Sequence, residues 1–408
     1  MRYQEISRWR LLVLLILCVF SLNGYAARDD DDEADDEMDE VTAEDLAIED
    51  IPVDERIFLV KWAEPPFEKH VFTYTDAQIK EKWDYLMRGL RMPYPSAEYI
   101  RKQSEKYPFI LEGIENFDGD FQKLEKRYLE VWRKFFAGDF QAARNEGLEL
   151  GPMGLIPGLF SQMMQAIYLT ERQSDKYMLL QDVANRATQY FDQITEIEED
   201  PEIKSLAAAV RLGYAYAIAR IAEESPIPIV VARRYIGKIK SNSDHITDLV
   251  PDHPLGHAFR AGVDAGIMRR VGKFTGRMTY NARSTVVGSS FGKARKLTPD
   301  IPIVAYEHGN ALIYMNKNRN LNEAMALFEE ASMMQPQFSM DALDTMYAYK
   351  RLQEIKLYAL NYRSFRKFEK DRRKFIRATD RNLTNVRAPV LTMEMLDNPD
   401  KYKLPERQ

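Results

Sequence analysis

Residues 321–336 read LNEAMALFEEASMMQP, and this stretch decides the fold. Ala324, Phe328 and Ala331 are spaced by four and three residues, and Pro336 follows five positions later. On a helix this spacing puts the three side chains on one face. Small residues let a neighbouring helix approach closely, the aromatic ring fills the groove, and proline ends the helix because it has no N–H to donate. The pattern predicts the second helix of a packed helix pair.

The same pattern recurs one unit earlier, where Phe291 and Ala294 precede a proline. Prolines close four predicted units, at Pro201, Pro251, Pro299 and Pro336. The intervals of 50, 48 and 37 residues are unequal, so the repeat is degenerate. Residues 271–280, which include two glycines, are predicted as an insertion between paired helices. We therefore predict an all-α array of stacked helix pairs over residues 119–350.

These spacings resemble the tetratricopeptide repeat, a helix–turn–helix unit of about 34 residues with small and aromatic residues at fixed positions. Ala311 and Tyr314 match its first helix, and Leu212, Gly213 and Tyr216 match the same signature in an earlier unit. The resemblance implies a helical-repeat solenoid in which the first helices line a concave, partner-binding surface. It implies groove candidates on those helices, namely Arg211, Arg220, Arg260, Asp264, Asn310 and Tyr314.

The chain as a whole resembles a group of exported, functionally uncharacterised bacterial tetratricopeptide proteins. Residues 251–280 and 388–393 carry that likeness. A weaker similarity is to the T component of tripartite ATP-independent periplasmic transporters, which is also exported and built of related helical repeats. These resemblances imply a location in the cell envelope and leave the bound molecule open.

The N-terminus has the three parts of a secretory signal peptide. Arginines precede an unbroken apolar run over residues 11–22, and Gly24 and Ala26 are placed for cleavage after Ala26. The run is short for a membrane span, which needs about 20 apolar residues. We predict export to the periplasm after removal of residues 1–26, with an uncleaved anchor or lipidation at Cys18 as alternatives. Because Cys18 is the chain's single cysteine, the mature protein would rely on a hydrophobic core without disulfides.

Charge is divided unevenly along the chain. Residues 29–55 hold 16 acidic residues and no basic one, whereas residues 56–408 hold 53 basic and 46 acidic residues, a net of +7. A block of like charge cannot bury enough apolar surface to fold, so residues 27–55 are predicted to be disordered. Basic and aromatic residues interleave over 351–381, where a basic face comprises Lys367, Lys370, Arg372, Arg373 and Lys374. That face suits an acidic protein or an anionic membrane surface, and the exported location argues against nucleic acid.

Residues 56–118 are predicted to form a small N-terminal cap on the repeats. Residues 57–62 and, more weakly, residues 71–74 have the composition of short strands. Thr75 and Gln78 then form a capping box that starts a helix.

Other residues mark helix boundaries further along the chain. Ser96 is predicted to cap a helix, and Gly138 with Asp139 to make the turn between two helices. Residues 151–158 contain three glycines and two prolines and are predicted to interrupt the helices.

One segment fits a catalytic motif. Residues 288–292 read GSSFG, which matches the G-x-S-x-G nucleophile elbow with Ser290 as the nucleophile. That elbow needs a strand before the serine and a helix after it, whereas Phe291 and Ala294 place this serine within a repeat helix. A structural role is therefore predicted, and a serine hydrolase stays an alternative.

His253 and His257 are four residues apart, a spacing that zinc ligands use on a helix. Pro254 places His253 at a helix start, and no cysteine or nearby carboxylate pair completes a set of four ligands. We predict that Asp252 or His253 caps the helix, and that the chain has no metal site, no cofactor and no catalytic residue.

These features predict a periplasmic, non-enzymatic, tetratricopeptide-like scaffold for a protein or peptide partner. The competing hypothesis is an accessory protein, similar to the T component, that passes a small ligand to a transporter; a deep apolar cavity holding a co-purified ligand would favour it. The predicted organisation is a signal peptide over 1–26, an acidic segment over 27–55, a cap over 56–118, repeats over 119–350, a basic helix over 351–381 and an extended tail over 382–408.

Overall fold

The computed structural model describes residues 57, 60–67, 71–170, 172–316 and 320–358. Within these ranges the chain is helical and contains no strand. The α-helices are α1 Asp76–Leu86, α2 Ala97–Lys106, α3 Phe121–Ala137, α4 Phe140–Leu148, α5 Gly151–Met164, α6 Gln173–Thr188, α7 Phe191–Ile197, α8 Lys204–Glu224, α9 Ile227–Ala232, α10 Tyr235–Leu249, α11 Pro254–Val271, α12 Lys273–Tyr280, α13 Ser284–Leu297, α14 Pro302–Asn316, α15 Leu321–Met333 and α16 Ser339–Tyr358. A 3₁₀ helix spans Pro108–Leu111 and a π-helix spans Gln165–Leu169. In this part of the chain no helix combines the length and the hydropathy that crossing a membrane requires.

Several predictions concern residues outside the described ranges. These are the signal peptide over 1–26, the whole acidic segment over 27–55, the tail over 382–408, and the basic face of Lys367, Lys370, Arg372, Arg373 and Lys374. The helix α16 continues to Tyr358, so the predicted boundary between residues 350 and 351 falls inside a helix.

The all-α prediction is confirmed for the described residues, but the prediction of a strand over 71–74 is wrong. These residues form a turn and an irregular segment. The apolar side chain of Phe72 packs against Ala342 and Met346 of α16 instead of joining a sheet. The predicted Thr75 capping box at the start of α1 and the predicted Ser96 cap of α2 are confirmed, and the predicted turn at Gly138 and Asp139 lies between α3 and α4.

The predicted interruption over residues 151–158 is also wrong, since these residues form the first half of α5. Pro152 lies in the first turn, where a helix N–H has no intrahelical partner and a missing donor does no harm. The glycines serve packing against α4. A methyl group on Gly154 would stand 1.9 Å from the carbonyl oxygen of Gly147, so only glycine allows this backbone contact.

Helices pack in pairs along the chain: α3 with α4, α5 with α6, α8 with α10, α11 with α13, and α14 with α15. The aromatic residue of the repeat pattern fills the groove as predicted, because Phe328 of α15 is fully buried and lies against Gly309 of α14. Phe291 is buried in the same way in α13. Two pairs contain a short inserted helix, α9 after α8 and α12 after α11. The second insertion coincides with the predicted one at residues 271–280.

The last described helix returns to the first repeat pair. Phe338 packs on Phe136 of α3 with ring centroids 5.4 Å apart, and Ser339 Oγ donates to the carbonyl oxygen of Phe135 at 2.5 Å. Asp341 of α16 forms a buried ion pair with Arg88 at 3.0 Å. Helix α16 therefore closes the space that the first helices of the pairs face. The tetratricopeptide-like solenoid itself stays a prediction.

Candidate ligand cavity

The first helices of the pairs surround one large cavity. It lies between α5, α8, α11, α14 and α16, has a volume of about 190 Å³ and opens partly to solvent. Most of its wall is apolar, with contributions from Phe160, Met163, Leu212, Phe259, Val263 and Ile303. Each CH₂ group of a ligand that leaves water for such a site contributes about 0.8 kcal/mol. The cavity thus suits the body of an apolar molecule.

Two glycines of α11 leave part of this wall without side chains. Gly262 and Gly266 lie one turn apart and line the cavity, and a methyl group on either would meet no heavy atom within 4 Å. Glycine in a helix interior lowers stability by about 1 kcal/mol relative to alanine. Because no close packing requires glycine at these positions, its structural effect is to keep the cavity wide.

One buried acid in the wall has an unused polar atom. Asp344 of α16 is 1% exposed and lines the cavity. Its Oδ1 accepts a hydrogen bond from the Tyr168 hydroxyl, whereas its Oδ2 has no partner. Burial raises the pKa of Asp344 well above its ordinary value, although the Tyr168 hydrogen bond opposes that rise. Burial therefore favours the protonated form of this carboxyl group, whose O–H can donate to a ligand.

The charge of a nearby guanidinium is already balanced. Arg220 of α8 donates to Glu223 Oε2 at 2.9 Å and to the Tyr216 hydroxyl at 2.7 Å, and it also pairs with Glu307 of α14. Two carboxylates therefore surround one cation in the cavity wall. The Nε of Arg220 remains a buried donor without a hydrogen-bond partner.

Two further arginines lie in the wall at the C-terminal end of α11. The Arg269 guanidinium stacks over the Tyr314 ring at 4.3 Å. Arg270 donates to the carbonyl oxygens of Glu223 at 3.3 Å and Ser225 at 2.7 Å. Arg270 thereby ties the C-terminal end of α11 to the C-terminal end of α8.

The structure divides the six predicted groove residues into two sets. Arg220 and Tyr314 line the cavity, and Asn310 lies beside them, with its Nδ2 donating to Glu307 at 3.4 Å. The other three form ion pairs within the chain: Arg211 with Glu198 at 2.7 Å, Arg260 with Asp244 at 3.0 Å and Asp264 with Lys240 at 2.8 Å. The first pair joins α8 to the C-terminal end of α7, and the other two join α11 to α10. Half of the predicted set thus converges on one site.

Sequence reasoning missed Tyr168 and Asp344. Tyr168 belongs to the π-helix that follows α5, and none of the sequence patterns predicted that π-helix. Asp344 shares a helix face with Asp341 and Ala348, and all three are buried. An acid at the spacing of a buried helix face is the signal that could have found it.

The two motifs considered for chemistry lie elsewhere. Ser290 is in the middle of α13 and 7% exposed, so the strand–turn–helix geometry of a nucleophile elbow is not formed around it. His253 Nδ1 accepts from the Gly256 N–H at 3.0 Å, which confirms His253 as the cap of α11, and His257 Nε2 hydrogen-bonds to the Pro251 carbonyl at 2.8 Å. Among the described residues no group of three or more His, Cys, Asp or Glu side chains is arranged to hold a metal ion.

Comparison with known proteins gives no relative for this chain. No protein-family model, no curated protein and no solved structure matches it. The chemistry of the cavity is therefore the guide to function.

Proposed function

We propose that this chain is a carrier that holds one small amphipathic molecule in the cavity between α5, α8, α11, α14 and α16. The observation that supports this proposal is an apolar cavity whose wall contains a buried acid, Asp344, with an oxygen, Oδ2, that has no hydrogen-bond partner in the protein. Leaving a buried polar atom unpaired costs about 1–3 kcal/mol. A ligand that supplies the missing partner recovers this free energy.

The wall defines the class of ligand. Its apolar side chains suit an elongated hydrocarbon body, and the neutral Asp344 carboxyl group suits a head with an oxygen that accepts a hydrogen bond. A monocarboxylic acid, an ester or an alcohol with a long apolar chain has this chemistry.

This proposal corresponds to the accessory protein considered from the sequence. The predicted signal peptide at residues 1–26 would place the carrier in the periplasm, and the tetratricopeptide-like repeats would supply the helices around the ligand. The scaffold for a protein or peptide stays a prediction, as does the absence of enzymatic activity. Arg211, Arg260 and Asp264, which were candidates for its groove, already have ionic partners within the chain.

Filling the cavity tests the proposal. In the double variant Gly262→Leu/Gly266→Phe, two large side chains enter the space left bare by α11. The fluorescent fatty acid cis-parinaric acid is the probe, titrated into the full-length protein. We expect the native protein to bind it and the double variant to bind at least tenfold more weakly, because the apolar body loses its volume.

A matched control exists on α13. Gly288 and Gly292 are also one turn apart, and methyl groups there would likewise meet no heavy atom within 4 Å, but both residues are exposed. Gly288→Leu/Gly292→Phe should bind the probe as the native protein does. Native binding equal to that of the filled variant, or no binding by either, contradicts the proposal. Loss of binding in the control as well would trace the probe to a site other than the cavity.

A further inference from the structure

The two inserted helices expose apolar side chains. Ile227 and Val231 of α9 are 47% and 53% exposed, and Phe274 and Met278 of α12 are 74% and 70% exposed. Each pair is spaced by four residues, so both members lie on one face of their helix. Elsewhere in the described ranges, large apolar side chains with comparable exposure occur singly, at Tyr85 and Met333. We call the surface formed by Ile227, Val231, Phe274 and Met278 the docking edge.

The two helices belong to the same edge of the array. Each follows the first helix of its pair, α9 after α8 and α12 after α11. Arg270 holds the C-terminal ends of α8 and α11 together through the carbonyl oxygens of Glu223 and Ser225. Helix α12 also contacts α10, the helix that α9 leads into. The exposed pairs therefore extend from neighbouring points of the fold.

Cations predominate around the docking edge, where the nearest exposed acid along the chain is Glu224, three residues before Ile227. Residues 225–243 and residues 265–299 contain no Asp or Glu. Exposed cations stand beside the apolar pairs, at Arg233, Arg234, Lys273 and Arg277. On α12, Lys273 and Arg277 each precede one of the exposed apolar residues, Phe274 and Met278. Apolar side chains next to cations are the composition by which short helices enter the interface of an anionic bilayer.

We propose that α9 and α12 dock this protein on a membrane surface rich in anionic phospholipids. The apolar pairs enter the region between head groups and acyl chains, and the flanking cations contact the phosphate groups. A bilayer fits better than an acidic protein because α9 and α12 are only six and eight residues long and expose two large apolar side chains each. A fluid bilayer can accommodate the exposed apolar pairs of both helices without a pocket shaped to fit them.

The docking edge adjoins the cavity. Val230 of α9 lines the cavity, and so does Ile267 of α11, against which α12 packs: a methyl group on Gly276 would contact Ile267 Cγ2 at 3.4 Å. Docking would bring this end of the cavity to the bilayer. The docking proposal does not depend on a ligand, and its failure would leave the carrier proposal unaffected.

Vesicle binding tests the docking edge in the full chain. The probe is a vesicle of equal parts phosphatidylcholine and phosphatidylglycerol, compared with pure phosphatidylcholine, in a sedimentation assay. We expect Phe274→Ser/Met278→Ser and Lys273→Glu/Arg277→Glu each to lower binding to the anionic vesicles at least tenfold. Met333→Ser, which removes a single exposed apolar side chain from α15, is the matched control and should change nothing. The apolar residues 11–22 are the same in every variant, so differences report the edge alone.

A site-specific label gives a second readout. In a Cys18→Ser background, Phe274→Cys carries an environment-sensitive NBD fluorophore, and Met333→Cys carries the same label as a control. Anionic vesicles should shift the emission to the blue at position 274 and not at position 333. Equal vesicle binding by all variants, no shift at position 274, or cross-linking of that position to an envelope protein in place of vesicle binding each overturns the proposal.

Discussion

Glycine has opposite roles in two regions of this molecule. In the contact between α4 and α5, a methyl group on Gly154 would stand 1.9 Å from a backbone oxygen. On α11, a methyl group on Gly262 would meet nothing within 4 Å. In the first region glycine lets two helix backbones come into contact. In the second region it leaves open a space that a side chain would otherwise fill. Stability depends on the first region, whereas the proposed ligand depends on the second.

The largest effect is expected in the tight contact. Gly154→Ala places a Cβ against the Gly147 carbonyl, and relieving that clash requires the two helices to separate. We expect a loss of about 3 kcal/mol or more in the free energy of unfolding, measured by urea denaturation. Gly158→Ala in the same helix is the control, because its nearest contact would be 3.5 Å and the substitution should be neutral or stabilising. Equal effects of the two would refute the role assigned to Gly154.

The stabilising contribution of the buried N-terminal end of α11 to the free energy of unfolding should decrease in acid. Burial lowers the pKa of His253 from 6.5 to about 4, and the neighbouring His257 adds to the shift. A lowered pKa means that the stability from neutral His253 is present above pH 6.5 and is lost as the pH falls towards 4. The loss amounts to about 3 kcal/mol at most. His253→Asn keeps a capping side chain without the titration, so its unfolding free energy should fall less between pH 7 and pH 4.5.

A wild-type and His253→Asn pair with identical pH profiles would count against this assignment. His308 also has a pKa lowered to about 4, chiefly by burial, and should account for part of the remaining acid sensitivity. Its own replacement, His308→Gln, should therefore flatten the profile further.

Asp344 in the cavity wall should give the stability of the protein the opposite pH dependence. The pKa of Asp344 is raised by burial, so its stabilising neutral form is complete below the ordinary value of 3.8 and is lost as the pH rises towards the folded pKa. Asp344→Asn resembles the neutral acid at every pH. Its melting temperature should equal that of the native protein near pH 4 and exceed it at pH 8.

Asp341 provides the contrasting variant. It is also buried, but it pairs with Arg88 at 3.0 Å. Asp341→Asn removes the buried one of the two carboxylate partners of Arg88, the other being Asp300, and should destabilise the protein at pH 8. A destabilising Asp344→Asn at the same pH would show that Asp344 is ionised and paired, contrary to the proposed ligand contact.

The smallest expected effect is a gain in stability. Gly262→Ala adds a methyl group that meets no atom and removes the conformational freedom of glycine from a helix interior. We expect the free energy of unfolding to rise by up to about 1 kcal/mol. Urea denaturation of this variant beside Gly154→Ala gives the direct comparison, and a loss of stability would show that Gly262 is needed for packing.

The helix pairs could be predicted because their signals are local. The Phe328 pattern, the Thr75 capping box and the turn before Asp139 each act within a few residues and need no knowledge of distant parts. The failure at residues 151–158 has a physical reason. Proline and glycine break an isolated helix, but here Pro152 occupies the first turn, Pro157 is accommodated inside the helix, and Gly154 is required by the close contact with Gly147 of α4.

The cavity could not be predicted in the same way. Its polar contact joins Tyr168 to Asp344, which are 176 positions apart. Arg220 and Tyr314 were predicted as groove residues from their helix, but their surroundings depend on α14 and α16. The cavity forms because side chains from several helices that are distant in sequence leave a common space unfilled. No pattern within one helix can predict that.

The contact of α16 with α3 has a consequence for folding. Ser339 and Phe135, joined by a hydrogen bond, are 204 positions apart. An open array of repeats can fray from either terminus and unfold stepwise, because each unit touches only its neighbours. Here the terminal units share an interface, so loss of either one exposes the other and unfolding should be cooperative. During synthesis, the surface of α3 around Phe135 stays unsatisfied until α16 has left the ribosome, which makes the completion of this fold a late event.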